Sequence, residues 1–323
     1  MRILIVKLSS LGDVVHAMPA IQDIRAALPQ AQIDWVVEKG FAPLVMRCDG
    51  VGETLACELR RWRKAPLAAA TRAEWRSFRR QLRSRTYDAV LDLQGLTKSG
   101  LVARAARLAP GGTRYALGNR TEGSSYEAPT RWFADVAIAI EPRVHAVQRS
   151  RELCARALGY ALPRQLHLGL CAQARMNGSG KAVCFVHGTS RDDKCWPESN
   201  WVALGQRLIA RGFTIALPHG SEAERERSER IARELGGHAH SWPRLELGEL
   251  ADRLAGCAGV IGVDSGLSHI AVALNLPHVQ IYNFDTAWRT GPLDTVHQRA
   301  VYAQPAPSVD AVWQAWQAVE AAA

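Results

Sequence analysis

The chain has 323 residues, 47% hydrophobic and 22% charged, which is the composition of a folded globular protein and a length that suits two domains. Its formal charge of +9 draws nucleic acid, anionic lipid headgroups or an acidic substrate, and arginine is densest in "LRRWRKAP" (59–66) and "RAEWRSFRRQLRSR" (72–85). No apolar run approaches the ~18 residues of a membrane span, and the seven cysteines, without a C-x-x-C pair, fit neither a zinc site nor a disulfide framework.

The start "MRILIVKLSS" is too short and too early interrupted for a signal peptide, so the mature chain is expected to begin at Met1, in a reducing compartment. From there, short apolar runs alternate with helix-length amphipathic stretches, the pattern of parallel sheets with crossover helices. In the first half, strands are predicted at "RILIVKL" (2–8), "QIDWVVE" (32–38) and "DAVLDLQG" (88–95), with helices including 97–108 and 145–160. The Gly-rich, polar stretch 162–181 reads as a connection. A second series of strands follows at 181–190, 213–220, 259–266 and 278–283, with helices near 201–211, 222–236, 247–256 and 266–275. The economical organisation is two Rossmann-like domains, 1–170 and 171–323, facing one another across a cleft. The last stretch spaces Val309, Val312, Trp316 and Val319 on one helical face, which must pack on something, and the first domain is one candidate.

Ligands of open parallel sheets bind beyond the carboxyl ends of the strands. Four polar clusters occupy such positions: Ser9 to Asp13, Gln94 to Lys98, Gly188 to Lys194 and Asp264 to His269. In the third, Gly188, Thr189 and Ser190 allow close backbone approach and hydroxyl donation with Lys194 as a nearby cation, a credible diphosphate site; Ser190 or Asp192 as a plain helix cap is the alternative. In the fourth, Asp264 ends a strand, Ser265 and Gly266 make the turn, and His269 lies on the first helical turn, either as a packing residue or beside a ligand. Asp13 falls near a helix start, where the macrodipole keeps it ionised; it is a cap or a proton acceptor, and it repels a diphosphate. Pro19 must kink that helix or lie in its first turn. No G-x-G-x-x-G follows a predicted strand and no G-x-x-x-x-G-K-[ST] is present, which disfavours nicotinamide and NTPase readings.

Six segments, "VKLSSLGDVVHAMPAI" (6–21), "RRWRKA" (60–65), "LDLQGLTKS" (91–99), "HAVQRSRELCARALGY" (145–160), "TSRDDKCWP" (189–197) and "DSGLSHIAVAL" (264–274), occur in register. Together they resemble the ADP-heptose:lipopolysaccharide heptosyltransferases of glycosyltransferase family 9, from Met1 to about Ile281. The resemblance implies a GT-B enzyme, inverting and metal-independent, without a cofactor, whose N-terminal domain binds acceptor and whose C-terminal domain binds nucleotide-sugar. It further implies transfer of L-glycero-D-manno-heptose from ADP-heptose to the Kdo of Kdo-lipid A, by a monomer on the cytoplasmic face of the inner membrane. The family branch that uses a heptose acceptor is the alternative.

Carried onto this chain, the family's proposed catalytic base is Asp13, and Lys194 contacts the donor phosphates with Thr189 and Ser190 beside it. Glu224 matches the acid that contacts the donor ribose, and Asp264, Ser265, Gly266, Leu267 and His269 match the segment lining diphosphate and heptose. Acceptor contacts fall on Ser10, Gly12 and Gln94, on the basic residues Arg60, Arg61, Arg63 and Lys64, and on Lys98 and Arg120, with Trp62 at the membrane interface. The chain departs from the family in "YNFDTAWRTGP" (282–292), where a "YGPTDP"-like turn is usual. A basic nucleic-acid-binding protein is the alternative of another class, but RNP, KH and zinc signatures are missing, so nucleic acid is not expected as a partner.

Overall fold

The structure is a computed structural model and describes residues 1–172, 181–293 and 296–322; residues 173–180 of the expected connection lie outside the described residues. Two compact units divide between Cys171 and Ala172. The first contains β1 (Arg2–Val6), α1 (Leu11–Ala27), β2 (Gln32–Glu38), α2 (Ala42–Val45), β3 (Val51–Cys57), α3 (Leu59–Trp62), α4 (Ala69–Arg83), β4 (Thr86–Asp92), α5 (Thr97–Ala105), β5 (Arg107–Leu117), β6 (Val136–Ile138) and α6 (Ala146–Leu158). The second contains β7 (Ala182–Val186), α7 (Glu198–Ala210), β8 (Thr214–Leu217), α8 (Glu222–Leu235), β9 (Ala239–Ser241), α9 (Leu247–Ala255), β10 (Gly259–Val263), α10 (Gly266–Ala273), β11 (His278–Tyr282), α11 (Ala287–Thr290), β12 (Gln298–Tyr302) and α12 (Val309–Glu320).

Each unit holds a six-stranded sheet, ordered β3-β2-β1-β4-β5-β6 in the first and β9-β8-β7-β10-β11-β12 in the second. All strand pairs are parallel. Both orders are the doubly wound Rossmann order, so each sheet has one switch point, between β1 and β4 and between β7 and β10. These are the two Rossmann-like halves of a GT-B architecture. The central strands are continuous apolar runs because both faces are covered. Leu4 and Val6 of β1 pack under Trp62, Phe78, Leu82 and Val102, which places α3, α4 and α5 on one face of the first sheet.

In the second unit Phe185, Ile261 and Val279 pack with Trp201, Val312, Trp316 and Val319. The terminal helix α12 therefore packs on the sheet of its own unit. Several strands escape the apolar pattern. β5 contains Pro110, Gly111 and Gly112, which read as a turn and coincide with a register shift against β4, while β6 and β9 span three residues each. Pro19 lies well inside α1. No helix among the described residues is long and apolar enough to cross a membrane.

Gly262 sets how closely α10 approaches its strand. A Cβ there would collide with Ser268 Oγ and stand 2.8 Å from Val186 Cβ. Deeper in the same unit, His278 and His187 are fully buried; His278 Nδ1 bonds the Val260 carbonyl at 2.9 Å and His187 Nε2 bonds Ser228 Oγ at 2.8 Å. Burial pushes both imidazoles from an ordinary pKa of 6.5 down to about 4. Between those values the unfolded chain binds protons that the folded chain does not, so their contribution is complete above pH 6.5 and is lost as pH falls to about 4. Urea unfolding should show stability falling over this window, on the order of 3 kcal/mol per histidine. In His278→Gln the slope against pH should drop by up to about one proton.

Candidate active site

The first switch point is built around a buried cation. Lys7 follows β1 and is 1% exposed; its ammonium donates to the Leu93 carbonyl at 3.0 Å and lies 3.6 Å from Asp13 Oδ1. Arg149 of α6 approaches the same oxygen at 3.5 Å and donates to Thr121 Oγ1 at 3.0 Å. Asp13 Oδ2 accepts from the Ser10 N–H at 3.2 Å and the Ser10 hydroxyl at 2.8 Å, so Asp13 both caps α1 and carries two cations. Burial alone would raise its pKa, but Lys7 and then Arg149, followed by the Ser10 hydrogen bond, outweigh that effect and hold the carboxyl well below the usual range. Burial drives the Lys7 pKa down, with Asp13 opposing. The carboxylate remains partly open, its side chain 35% exposed.

The loop is fixed from behind. Gln94 Oε1 accepts from the Leu8 and Ser9 N–H groups at 3.0 and 3.1 Å, bridging the ends of β1 and β4. Gln94 is thus a buried brace, and its carbonyl is not free for an acceptor. Asp92 in turn accepts from Gln94 N, Gly95 N, Ser99 Oγ and Thr130 Oγ1. The buried bidentate pair Arg151–Asp23, at 2.6 and 3.1 Å, ties α6 to α1 and so sets Arg149 against Asp13. Gly12 stands half-buried in the first turn of α1.

The basic segment divides. Arg61 is tied to Glu58 and Glu74, and Trp62 is 7% exposed with its indole N–H on Glu74 at 2.7 Å. Trp62 therefore belongs to the core, not to a membrane interface, because Trp75 and Phe78 cover its ring. Arg60 donates its backbone N–H to Glu38 at 3.1 Å, and burial pushes the Glu38 carboxyl up, opposed by Arg60 and Lys98. Glu127 accepts from the Thr97 N–H at 2.8 Å, and the Thr97 side chain and then this N–H, more than the nearby charges of Lys98 and Arg63, lower its pKa. Arg60, Arg63 and Lys98 accordingly lie near two carboxylates; Arg60, Arg63, Lys64 and Arg120 are exposed and Lys98 is half-buried.

At the second switch point, Thr189 Oγ1 donates to the Asp264 carbonyl at 3.2 Å, joining the loops after β7 and β10. Lys194 Nζ is 2.5 Å from Asp264 Oδ2, and His269 Nε2 is 3.6 Å from Asp264 Oδ1. Ser265 is the N-cap of α10, yet its buried hydroxyl has no hydrogen-bond partner, and Gly266, Leu267 and Ser268 open the helix with unpaired first-turn N–H groups. Glu224 Oε2 accepts from Gly220 N at 2.7 Å and Ser221 N at 3.3 Å as part of the α8 capping box. Its other oxygen rests against Gly188, where a Cβ would collide with it. Ser190 is exposed, and neither it nor Asp192 caps α7, whose N-cap is Pro197. The departing segment after Tyr282 forms α11, with the amide of Asn283 donating to the Asp193 and Cys195 carbonyls at 3.2 and 3.0 Å. Among the described residues no group of three or more His, Cys, Asp or Glu is arranged to hold a metal ion.

The family model for glycosyltransferase family 9 (heptosyltransferase) matches residues 75–311. The chain belongs to this family. It is 39% identical to lipopolysaccharide heptosyltransferase 1 of Escherichia coli K12, over 87% of this chain and 88% of that one. Lipopolysaccharide heptosyltransferase 2 of the same strain is 27% identical over 91% of this chain and 86% of its own length. Among solved structures, E. coli heptosyltransferase WaaC with ADP-2-deoxy-2-fluoro heptose matches with a TM-score of 0.80 at 36% identity, covering 97% of this chain and 98% of that one. The protein is a glycosyltransferase.

For this family 9 enzyme, sequence reasoning missed Lys7, Arg149, Thr121 and Glu38. Lys7 was hidden inside an apolar strand pattern, and Arg149 lay within a predicted helix with nothing in the sequence to single it out. A buried charge needs a partner, and that partner becomes visible only when α6 packs on α1. Because the Asp13 pKa is depressed from 3.8, the stabilisation from its pairing is present above that value and is lost only as pH falls through the depressed one. In a carbon-13 carboxyl titration Asp13 should stay ionised well below the ordinary carboxylate range, and Arg149→Met should shift the titration upward; an ordinary titration in both proteins would contradict the assigned pairing.

Proposed function

We propose that this chain transfers heptose from ADP-heptose to the Kdo of Kdo-lipid A, the first heptose of the lipopolysaccharide inner core. The observation that carries the reading is the pair of switch-point sites, an ionised carboxylate held by two cations in one unit and a lysine held by Asp264 at a helix start in the other. Greater identity to heptosyltransferase 1 than to heptosyltransferase 2 supports Kdo, and the ADP-2-deoxy-2-fluoro heptose of the similar WaaC structure supports the donor.

In this reading the acceptor hydroxyl attacks the anomeric carbon as the bond from that carbon to the ADP oxygen breaks. ADP leaves with the electron pair, the configuration inverts, and the hydroxyl proton passes to Asp13. A carboxylate so strongly stabilised is a weak base, so the proton moves late, once the attacking oxygen has begun to bond to the oxocarbenium-like sugar and has become acidic. Lys194 neutralises the departing diphosphate together with the first-turn N–H groups of α10 and the Ser265 hydroxyl. Asp264 holds Lys194 in place, and the free oxygen of Glu224 beside Gly188 receives a ribose hydroxyl. No cofactor or metal has a part in this scheme, since lysine and backbone dipoles carry the charge. Arg60, Arg63 and Lys98 meet the acceptor's carboxylate and phosphates. We place the enzyme, as a monomer, on the cytoplasmic face of the inner membrane, where such an acceptor is anchored.

ADP release from ADP-heptose, followed with Kdo-lipid A and with heptosyl-Kdo-lipid A in parallel, tests this. Release is expected with Kdo-lipid A only. Release with the heptosylated acceptor alone would assign the second transfer instead, and no release with either would end the heptosyl-transfer reading.

A further inference from the structure

Five arginines of α4, Arg72, Arg76, Arg79, Arg80 and Arg83, recur at the spacing of a single helical face and are all exposed. The opposite face, through Thr71, Phe78 and Leu82, is buried. Other surface arginines, such as Arg61, Arg85 and Arg230, are paired with carboxylates, whereas among the described residues none of these five has a carboxylate within ion-pair distance. Arg76 reaches only the Arg72 carbonyl, and Arg83 the Ala105 carbonyl of α5. Arg76, Arg79, Arg80 and Arg83, with Ala73, line an open groove of about 590 Å³.

Apolar side chains protrude from the same helical layer. Leu67, in the loop before α4, is 82% exposed, and Leu101 of α5 is 51% exposed. Trp132, 81% exposed, belongs to the turn Ala128–Phe133, whose Phe133 ring lies against Gly100 of α5. Arg104 and Arg131 stand exposed next to them. Isolated protruding Leu and Trp side chains on a surface that also carries unpaired arginines gain from entering the headgroup and acyl boundary of a bilayer. Single-stranded nucleic acid instead needs a row of aromatic platforms, and two of the three protruding groups here are leucines.

We propose that the outer surface of α4 and α5, with Leu67 and Trp132 as insertion points, docks the enzyme on an anionic lipid bilayer. This surface deepens the proposed membrane-anchored acceptor and rests on that reading for its purpose, but its binding is measurable without acceptor. The full-length chain should co-sediment with phosphatidylcholine vesicles containing phosphatidylglycerol at least roughly tenfold more strongly than with phosphatidylcholine alone, and salt should weaken the binding. The triple variant Arg76→Glu, Arg79→Glu, Arg80→Glu should lose roughly a hundredfold or more, and Leu67→Ser with Trp132→Ser several-fold. Both variants should keep wild-type kcat on a water-soluble, deacylated Kdo acceptor. Equal vesicle binding by wild type and variants overturns the proposal, as does wild-type binding to an RNA oligonucleotide but not to vesicles. Loss of activity on the soluble acceptor would make the surface part of the acceptor site and also overturn it. Failure of ADP release with every Kdo acceptor would instead overturn the reading of the reaction, leaving the vesicle result to stand by itself.

Discussion

The ammonium of Lys7 is buried at the end of the central strand of the first sheet, and much of the site follows from that placement. A desolvated charge costs several kcal/mol unless it is paired and hydrogen-bonded. Leu93 supplies one acceptor, and Asp13 supplies the counter-charge. To bring Asp13 there, the chain must turn sharply after Leu8 and start α1 at once; Gln94 holds the turn, and Asp13 accepts from the N–H and hydroxyl of Ser10 at the helix start. Arg149 then adds a second cation, so the carboxylate is ionised yet still open to solvent on one side. Replacing Lys7 with an apolar residue would remove the reason for the loop's course along with the charge.

The two units use the same sheet order and the same switch-point geometry with opposite polarity. In the first, cations hold a carboxylate; in the second, a carboxylate holds a cation. Each switch point is also bridged by a side chain to the backbone, Gln94 to Leu8 and Ser9 in one and Thr189 to Asp264 in the other. That division suits glycosyl transfer, which needs a proton acceptor near the attacking hydroxyl and a neutralised leaving diphosphate. In open α/β sheets function concentrates at strand ends because only there does the backbone leave the ladder with free groups.

Most of the sheet was legible because central parallel strands such as Arg2–Val6 and Gly259–Val263 are unbroken apolar runs. Others were not: the edge strands β6 and β9 are too short to show a pattern, and the Pro-Gly-Gly of β5, between β4 and β6, reads as a turn. At the site, Asp13, Lys194, Asp264 and His269 could be picked out by their position after strands and by family resemblance. Their partnerships could not, because Lys7, Arg149 and Glu38 acquire their partners through burial, which depends on packing between distant elements. The reading of Trp62 as an interfacial residue failed for the same reason: its basic neighbours suggested a wet surface, whereas Trp75 and Phe78 enclose it, and the exposed tryptophan is Trp132.

The central claim is that Asp13 takes the acceptor proton while the second unit independently holds the donor. Single-turnover transfer to Kdo-lipid A by Asp13→Asn, measured beside ADP affinity in the same folded protein, tests it most directly. The account predicts a transfer rate lower by roughly a hundredfold to ten-thousandfold with ADP affinity within about twofold of wild type. Transfer at the wild-type rate would contradict it.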